Sequence, residues 1–260
     1  MTRSASTILL DMSSSLIAHR GSSHLAPENT LASLKLGWRE TTTCEVDIRP
    51  TLDGKLLVIH DDSTRRTTGV DFKVAEHALS DLRQLDAGSW KGAQWKGEKL
   101  PSLEEAIAAI PARKRLLVEI KAGPEVIPEL KRVIRASGKE KQVLLQSFAH
   151  PVCVAARKAL PRIPVYLLLA FGQNPLTRVW SPSIDEVIVM TKKARLDGIG
   201  INDTALVEAA AVQKIHSAGL KLNIWTIDEV DAARRLIDLG VDGLITNRPG
   251  WLKTQLAEAR

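Results

Sequence analysis

The feature that most constrains this chain is an alternation. Short apolar, β-branched runs ending in polar residues alternate with longer stretches of helical period, about eight times along the chain. The runs are Leu16–Arg20, Thr43–Ile48, Arg115–Lys121, Gln142–Phe148, Val165–Leu169, Leu196–Asn202, Lys221–Thr226 and Gly243–Asn247. The helical stretches include "TLASLKLGWRE", capped by Asn29 or Thr30, and "SLEEAIAAI", capped by Ser102 with a glutamate three residues on. "PEVIPELKRVIRASG", "PVCVAARKALP", "TALVEAAAVQKIHSAG" and "DEVDAARRLIDLG" follow, several ending in the glycine that commonly lies just past a helix. This pattern predicts a single α/β domain over 1–260, a TIM (β/α)8 barrel. A doubly wound open sheet would carry a glycine-rich phosphate loop after its first strand, and none is present. "GIGIN" is a weak fingerprint, because no further glycine opens the next helix.

One element breaks the alternation. "CEVDIRPTLDGKLLVIHDD" holds two strand-like runs joined through Asp53-Gly54, with no room for a helix, which predicts a hairpin. With the turn centred near Leu52–Asp53, opposed residue numbers sum to about 105, so Glu45 is expected opposite His60. Residues 61–100 lack periodicity and are rich in Gly, Trp and charge. They are expected to form a small excursion on the top face of the barrel.

The formal charge is +6 and the pI near 9.4. A basic balance raises nucleic acid or a membrane surface as partners. The chain has no zinc-finger spacing, no RNP-like aromatic motif and no basic amphipathic helix, so an enzyme with an anionic substrate is the expectation. Two cysteines, Cys44 and Cys153, make no disulfide framework and fit a reducing compartment. The opening "MTRSASTILLDMSSSLIAHR" does not read as a signal peptide, since Asp11 breaks its apolar run. "VYLLLAF" is too short to span a bilayer. The expectation is a soluble cytoplasmic protein with no membrane anchor and no nucleic-acid partner; the sequence does not give its oligomeric state.

In such a barrel the chemistry lies at the C-terminal ends of the strands, and His19 and Arg20 end the first of them. On the second strand, Glu45 and Asp47 point to one side and Cys44, Val46 and Ile48 to the other. Two carboxylates on one face of a buried strand repel, and they require a cation or a shared proton. Glu119 and Lys121 share a face on a neighbouring strand, and Glu119 adds a third carboxylate. Three carboxylates at a barrel mouth suit a hard divalent cation, Mg²⁺ or Ca²⁺, rather than zinc. Two histidines, His19 and His60, can give and take protons near neutral pH, while Arg20 and Lys121 neutralise phosphoryl oxygens. A phosphodiester is therefore a good candidate substrate. Each feature has a plainer reading: a structural histidine, a solvated strand face, an ion pair, a turn in "PENT". Five such features on one rim outweigh those readings together.

"HRG…PENT", "EVDIRPTLDG", "VIHDD…RRTTG" and "VEIK", followed by "QSF" and "GVDGLITNRPG", resemble the glycerophosphodiester phosphodiesterase family from about Ile17 to Pro249. The resemblance implies a fold like the phosphoinositide phospholipases C and a cap at 61–100. It implies His19 and His60 as the acid/base pair. Glu45, Asp47 and Glu119 would be the cation ligands, and Arg20 and Lys121 the phosphate binders. Trp225 would lie near the glycerol or leaving group, and Glu28 and Asn29 in support. The implied reaction is hydrolysis of glycerophosphodiesters, small-molecule substrates, to an alcohol and sn-glycerol 3-phosphate. Asn247 stands where the family often has Asp, and a local difference without loss of activity is expected there. Two alternatives remain. One is a phosphodiesterase of lysophospholipids or another phosphodiester, for which Trp90 and Trp95 could supply an apolar rim, a structural role being the plainer reading of both. The other is a non-catalytic phosphate-ligand or nucleic-acid binder, which predicts a decayed site.

Overall fold

The computed structural model describes residues 16–177, 180–203 and 205–258, so the reading of the first fifteen residues lies outside the described residues. In chain order the elements are β1 (Leu16–Ala18), α1 (Leu31–Glu40), β2 (Thr43–Pro50), β3 (Leu56–Val58), α2 (Arg65–Thr68), α3 (Leu79–Leu82), α4 (Leu103–Ala108) and β4 (Arg115–Ile120). Then come α5 (Ile127–Ser137), β5 (Val143–Ser147), α6 (His150–Ala159), β6 (Val165–Leu169), the small hairpin β7 (Gly172–Gln173) and β8 (Trp180–Ser181), and α7 (Ile184–Lys193). β9 (Gly198–Asn202), α8 (Ala209–Ser217), β10 (Lys221–Trp225), α9 (Val230–Asp238), β11 (Gly243–Thr246) and α10 (Pro249–Glu258) complete the chain. The main sheet runs β1-β11-β10-β9-β6-β5-β4-β2-β3, and β1 also pairs with β2. All of these strands except β3 pair in parallel, so the other eight close the expected (β/α)8 barrel.

Side-chain alternation sorts each strand between two environments. Cys44, Val46 and Ile48 of β2 face outward into the layer between strands and helices, where they join Leu34, Leu116, Val118 and Leu145. Each aliphatic side chain buried there contributes about 1.5–3 kcal/mol. Inside the barrel, Ile17, Leu117 and Ile245 form a small apolar plug, with Leu144 and Trp225 against it. The polar residues of the mouth stand above this plug. Capping follows the sequence: Thr30 begins α1 and Ser102 begins α4, each with a reciprocal capping box.

The first strand stops at Ala18, two residues before the expected end. Arg20 (φ 55°) and Gly21 (φ 77°) both take the left-handed conformation there. A Cβ on Gly21 would lie 2.4 Å from the Ser33 carbonyl carbon, so only glycine lets the chain turn this closely over α1.

The hairpin exists, but its register differs from the expectation by one. Ile48 pairs with Val58, Arg49 with Leu57 and Pro50 with Leu56, so Glu45 does not oppose His60. Thr51 N–H bonds to the Lys55 carbonyl and Gly54 N–H to the Thr51 carbonyl, which centres the loop on Asp53. The extra residue in the loop moves the register. Beyond Val58 the pairing shrinks to one bond from the Ile59 amide to the Asp47 carbonyl, and the chain leaves the sheet.

Residues 61–100 carry α2, α3 and short 3-10 turns, which organise around Val74, Leu82, Ala87 and Leu100 packed on Leu57 and Ile59. Lys91 Nζ bonds to the Ser23 carbonyl (2.7 Å), which ties this segment to the loop after β1. Among the described residues, no helix is long and apolar enough to cross a membrane.

Candidate active site

The barrel mouth encloses a cavity of about 200 Å³. Its polar wall is His19, Arg20, Glu45, His60, Glu119, Lys121 and Gln146; Phe148, Leu168, Trp225 and Ile245 supply the apolar side. Six of the sequence-predicted residues thus meet there with Trp225, brought from five separate segments of chain. Asp47, Glu28 and Asn29 stand directly behind them.

Glu45, Asp47 and Glu119 each offer a carboxylate oxygen, all within 4.8 Å of one another. Neighbouring parallel strands put Asp47 in register with Glu119. Glu45 and Asp47 are fully buried, and Glu45 Oε1 has no hydrogen-bond partner. Burial, compounded by Asp47 and Glu119, pushes the Glu45 carboxyl well above its usual range. Burial and Asp47 likewise raise Glu119, despite Lys121 Nζ at 2.5 Å. Asp47 is held low against its burial by Lys121 Nζ (3.1 Å) and Arg20 Nε (3.1 Å). Three carboxylates thus face two cations, and one negative charge is left without compensation. An orphaned buried carboxylate oxygen in an all-oxygen donor set fits a hard divalent cation.

The residues of "PENT" act on this cluster. Asn29 donates through Nδ2 to Asp47 Oδ2 (2.9 Å) and accepts the Asp47 backbone N–H at Oδ1 (3.2 Å). Glu28 accepts from Arg20 (2.8 Å) and from Arg66 (2.7 Å), and these two guanidiniums hold it below the usual carboxylate range despite burial. The Arg20 backbone amide donates to Glu45 Oε2 (3.0 Å), so the left-handed turn at Arg20 aims the amide as well as the side chain.

Each histidine is fixed by its Nδ1. The Asp228 carboxylate can only accept, and it takes the Asn247 side-chain amide (2.7 Å) and backbone N–H (2.8 Å). Asn247 Oδ1 is thereby turned toward His19 Nδ1 (2.7 Å) and Ser23 Oγ (3.0 Å). His19 must therefore carry its proton on Nδ1 and keep the Nε2 lone pair free. His60 Nδ1 meets Asp61 Oδ1 at 2.7 Å, which again leaves Nε2 free. Burial first, and Arg20 next to it, lower the His19 pKa. Burial also lowers His60, against the pull of Asp47 and Asp61. Hydrogen bonds from Arg66 and His60 hold the Asp61 carboxyl down to about 2.

Sequence reasoning missed several residues of this site. Asp228, behind Asn247, has no motif of its own beyond the acidic end of "WTID". Asp61 was visible as the residue after His60. Arg49 donates to the His60 carbonyl (2.8 Å) and the Lys121 carbonyl (3.3 Å), clamping two strand ends, and no sequence signal marks it. The apolar rim that the lysophospholipid alternative would draw from Trp90 and Trp95 is not part of the cavity: no residue of 61–100 lines it, and Trp90 Nε1 bonds to the Ala87 carbonyl (2.9 Å). The aromatics that line the cavity are Phe148 and Trp225, edge-on to each other with ring centroids 5.5 Å apart.

The model of the glycerophosphoryl diester phosphodiesterase family matches residues 19–251. The chain belongs to this family. A glycerophosphodiester phosphodiesterase of Caldanaerobacter subterraneus is 31% identical over 248 residues, covering 93% of this chain and 97% of that one. A Bacillus subtilis glycerophosphodiester phosphodiesterase is 31% identical over 252 residues, covering 90% of this chain and 83% of its own. An Oleispira antarctica phosphodiesterase solved with the product sn-glycerol-3-phosphate superposes with a TM-score of 0.82 at 30% identity, covering 99% of this chain and 100% of that chain. The chain is thus an enzyme, a phosphodiesterase acting on small glycerophosphodiesters, and the non-catalytic alternative falls.

Proposed function

We infer that the enzyme hydrolyses glycerophosphodiesters to an alcohol and sn-glycerol 3-phosphate with a divalent cation, Mg²⁺ or Ca²⁺, held by Glu45, Asp47 and Glu119. The observation that carries this reading is the orphaned Glu45 Oε1 within a three-carboxylate cluster, in one cavity with two Nδ1-anchored imidazoles. The cation, when bound, neutralises charge on a phosphoryl oxygen. Arg20 and Lys121 hold the other phosphoryl oxygens and orient the phosphorus. His19, kept neutral by burial, takes a proton at Nε2 from the attacking oxygen, either water or the neighbouring glycerol hydroxyl. His60, whose imidazolium gains from Asp61, donates from Nε2 to the departing alcohol oxygen. Where the glycerol hydroxyl has attacked, water then opens the resulting cyclic phosphate, giving up its proton to the now neutral His60 while His19 returns its proton to the ring oxygen that leaves. Glu28 and Asn29 hold Arg20 and Asp47 in position. Trp225 and Phe148 supply the wall for the organic part of the substrate.

Glycerol 3-phosphate release from glycerophosphocholine, measured with Mg²⁺, with Ca²⁺ and with excess chelator, tests this. Release that needs an added cation is the expected result, and the better ion is named by the same assay. A folded protein that releases nothing with either ion refutes the substrate assignment.

A further inference from the structure

Arg20 and Lys121 in the cavity lining are held by ion pairs, and His19 and His60 are each anchored at Nδ1. Two further polar groups of the cavity lining have no such partner. Gln146, on β5, is 2% exposed, and its Oε1 is buried with no hydrogen-bond partner. It lines the cavity beside Phe148, Leu168 and Trp225. Trp225 Nε1 is also buried and also lacks a partner. A buried amide oxygen and a buried indole N–H left open in a ligand cavity are costly in the free protein, and they are compensated when a ligand brings matching groups. One is an acceptor and the other only a donor, and a hydroxyl group offers both functions. A phosphate offers acceptors alone, so it would satisfy Trp225 and leave Gln146 unpaired.

We propose that Gln146 is a specificity-determining residue, whose Oε1 accepts a hydrogen bond from a free hydroxyl of the glycerol moiety, with Trp225 Nε1 as a donor in the same cavity. Gln146 lies in register with Glu119, so a hydroxyl read by its side chain sits next to the phosphoryl end of the site. The assignment rests on the glycerophosphodiester reading above and adds to it a reason for preferring glycerol over a simple alcohol. A site built to pair with a hydroxyl rejects the analogue that lacks it, because its own group is then left buried and open.

The test is calorimetric binding to the full chain with saturating Mg²⁺. The ligands are glycerol 3-phosphate, propane-1,2-diol 1-phosphate, which lacks the terminal hydroxyl, and propane-1,3-diol 1-phosphate, which lacks the central one. The expected result is about ten- to a hundredfold tighter binding of glycerol 3-phosphate than of one of the two analogues. Gln146→Leu should bring glycerol 3-phosphate down to the level of that analogue and leave the analogue's affinity nearly unchanged. Gln146→Met, closer in length, serves if the leucine variant does not fold. Retention of the preference by the variant overturns the proposal, as does a wild type with no preference. Cation titration in the absence of ligand is the second readout. Unchanged Mg²⁺ affinity in the variant supports the hydroxyl role, and a tenfold loss assigns Gln146 to the cation and overturns it. A wild type that hydrolyses glycerophosphocholine but ignores the hydroxyls defeats only the role of Gln146. One that neither hydrolyses it nor binds any of the three defeats the substrate reading as well.

Discussion

Glu45→Gln is expected to make the cation-free protein more stable and to abolish its response to divalent cation. Glu45 is fully buried, and one of its carboxylate oxygens lies within 4.8 Å of one from Asp47 and one from Glu119. A carboxylate pair at that separation repels by about 3 kcal/mol at an effective dielectric constant near 20. Arg20 and Lys121 offset most of two such interactions, so a neutral glutamine should recover about 1–3 kcal/mol. Glutamine keeps a carbonyl oxygen for the Arg20 backbone amide, so the packing need not change. In the wild type, cation at about a hundred times its Kd adds about 2.7 kcal/mol. For a chain of this size each kcal/mol moves Tm by roughly 2–4 °C, so the shift is about 5–10 °C. The assay is thermal unfolding of both proteins in chelator and in millimolar Mg²⁺ or Ca²⁺. The variant should melt a few degrees above wild type in chelator and stay there when cation is added. The sign with pH agrees: the folded-state pKa of Glu45 is raised, so this group's contribution is most favourable below the ordinary carboxylate pKa and is lost as pH rises through the folded value. A variant less stable than wild type in chelator, or one with the full cation shift, would refute the charge argument.

Three more outcomes are expected. His19→Gln and His60→Gln should each cut kcat about 10²–10⁴-fold, with Tm and cation binding kept close to wild type; substantial turnover in either sinks the two-histidine mechanism. Asn247→Leu removes the acceptor for the His19 Nδ1 proton, so kcat should fall about tenfold or more while Asn247→Asp retains activity, and ¹⁵N NMR of His19 should show a mixed tautomer only in the leucine variant. Asp61, held at about 2 against its ordinary 3.8, stabilises the fold fully above its ordinary value and loses that contribution as pH falls toward 2. Asp61→Asn should therefore cost about 1 kcal/mol at neutral pH, after allowance for solvent screening. It should also lower the His60 pKa and move the alkaline limb of the kcat profile to lower pH; an unmoved limb counts against His60 as the acid.

The sequence by itself determined the architecture and most of the cavity wall. Eight apolar runs of strand length separated by helical stretches admit few closed arrangements, and the alternation of Glu45-Val46-Asp47 sorts carboxylates inward and Val46 outward without any tertiary information. His19, Arg20, Glu119 and Lys121 were legible because strand ends are where a barrel exposes chemistry. Tertiary structure decided what single-strand logic does not carry. The hairpin register depended on one residue in a loop, which period-two alternation does not count, so Glu45 and His60 were wrongly opposed. The tautomer of His19 is set by Asn247 and Asp228, more than two hundred residues along the chain, through β11 closing onto β1. The clamp by Arg49 and the open amide of Gln146 exist only because neighbouring strands bring their ends to one rim. Local pattern fixes which face a side chain takes. Partners across strands come from barrel closure, and they decide protonation, orientation and which buried groups remain free for a ligand.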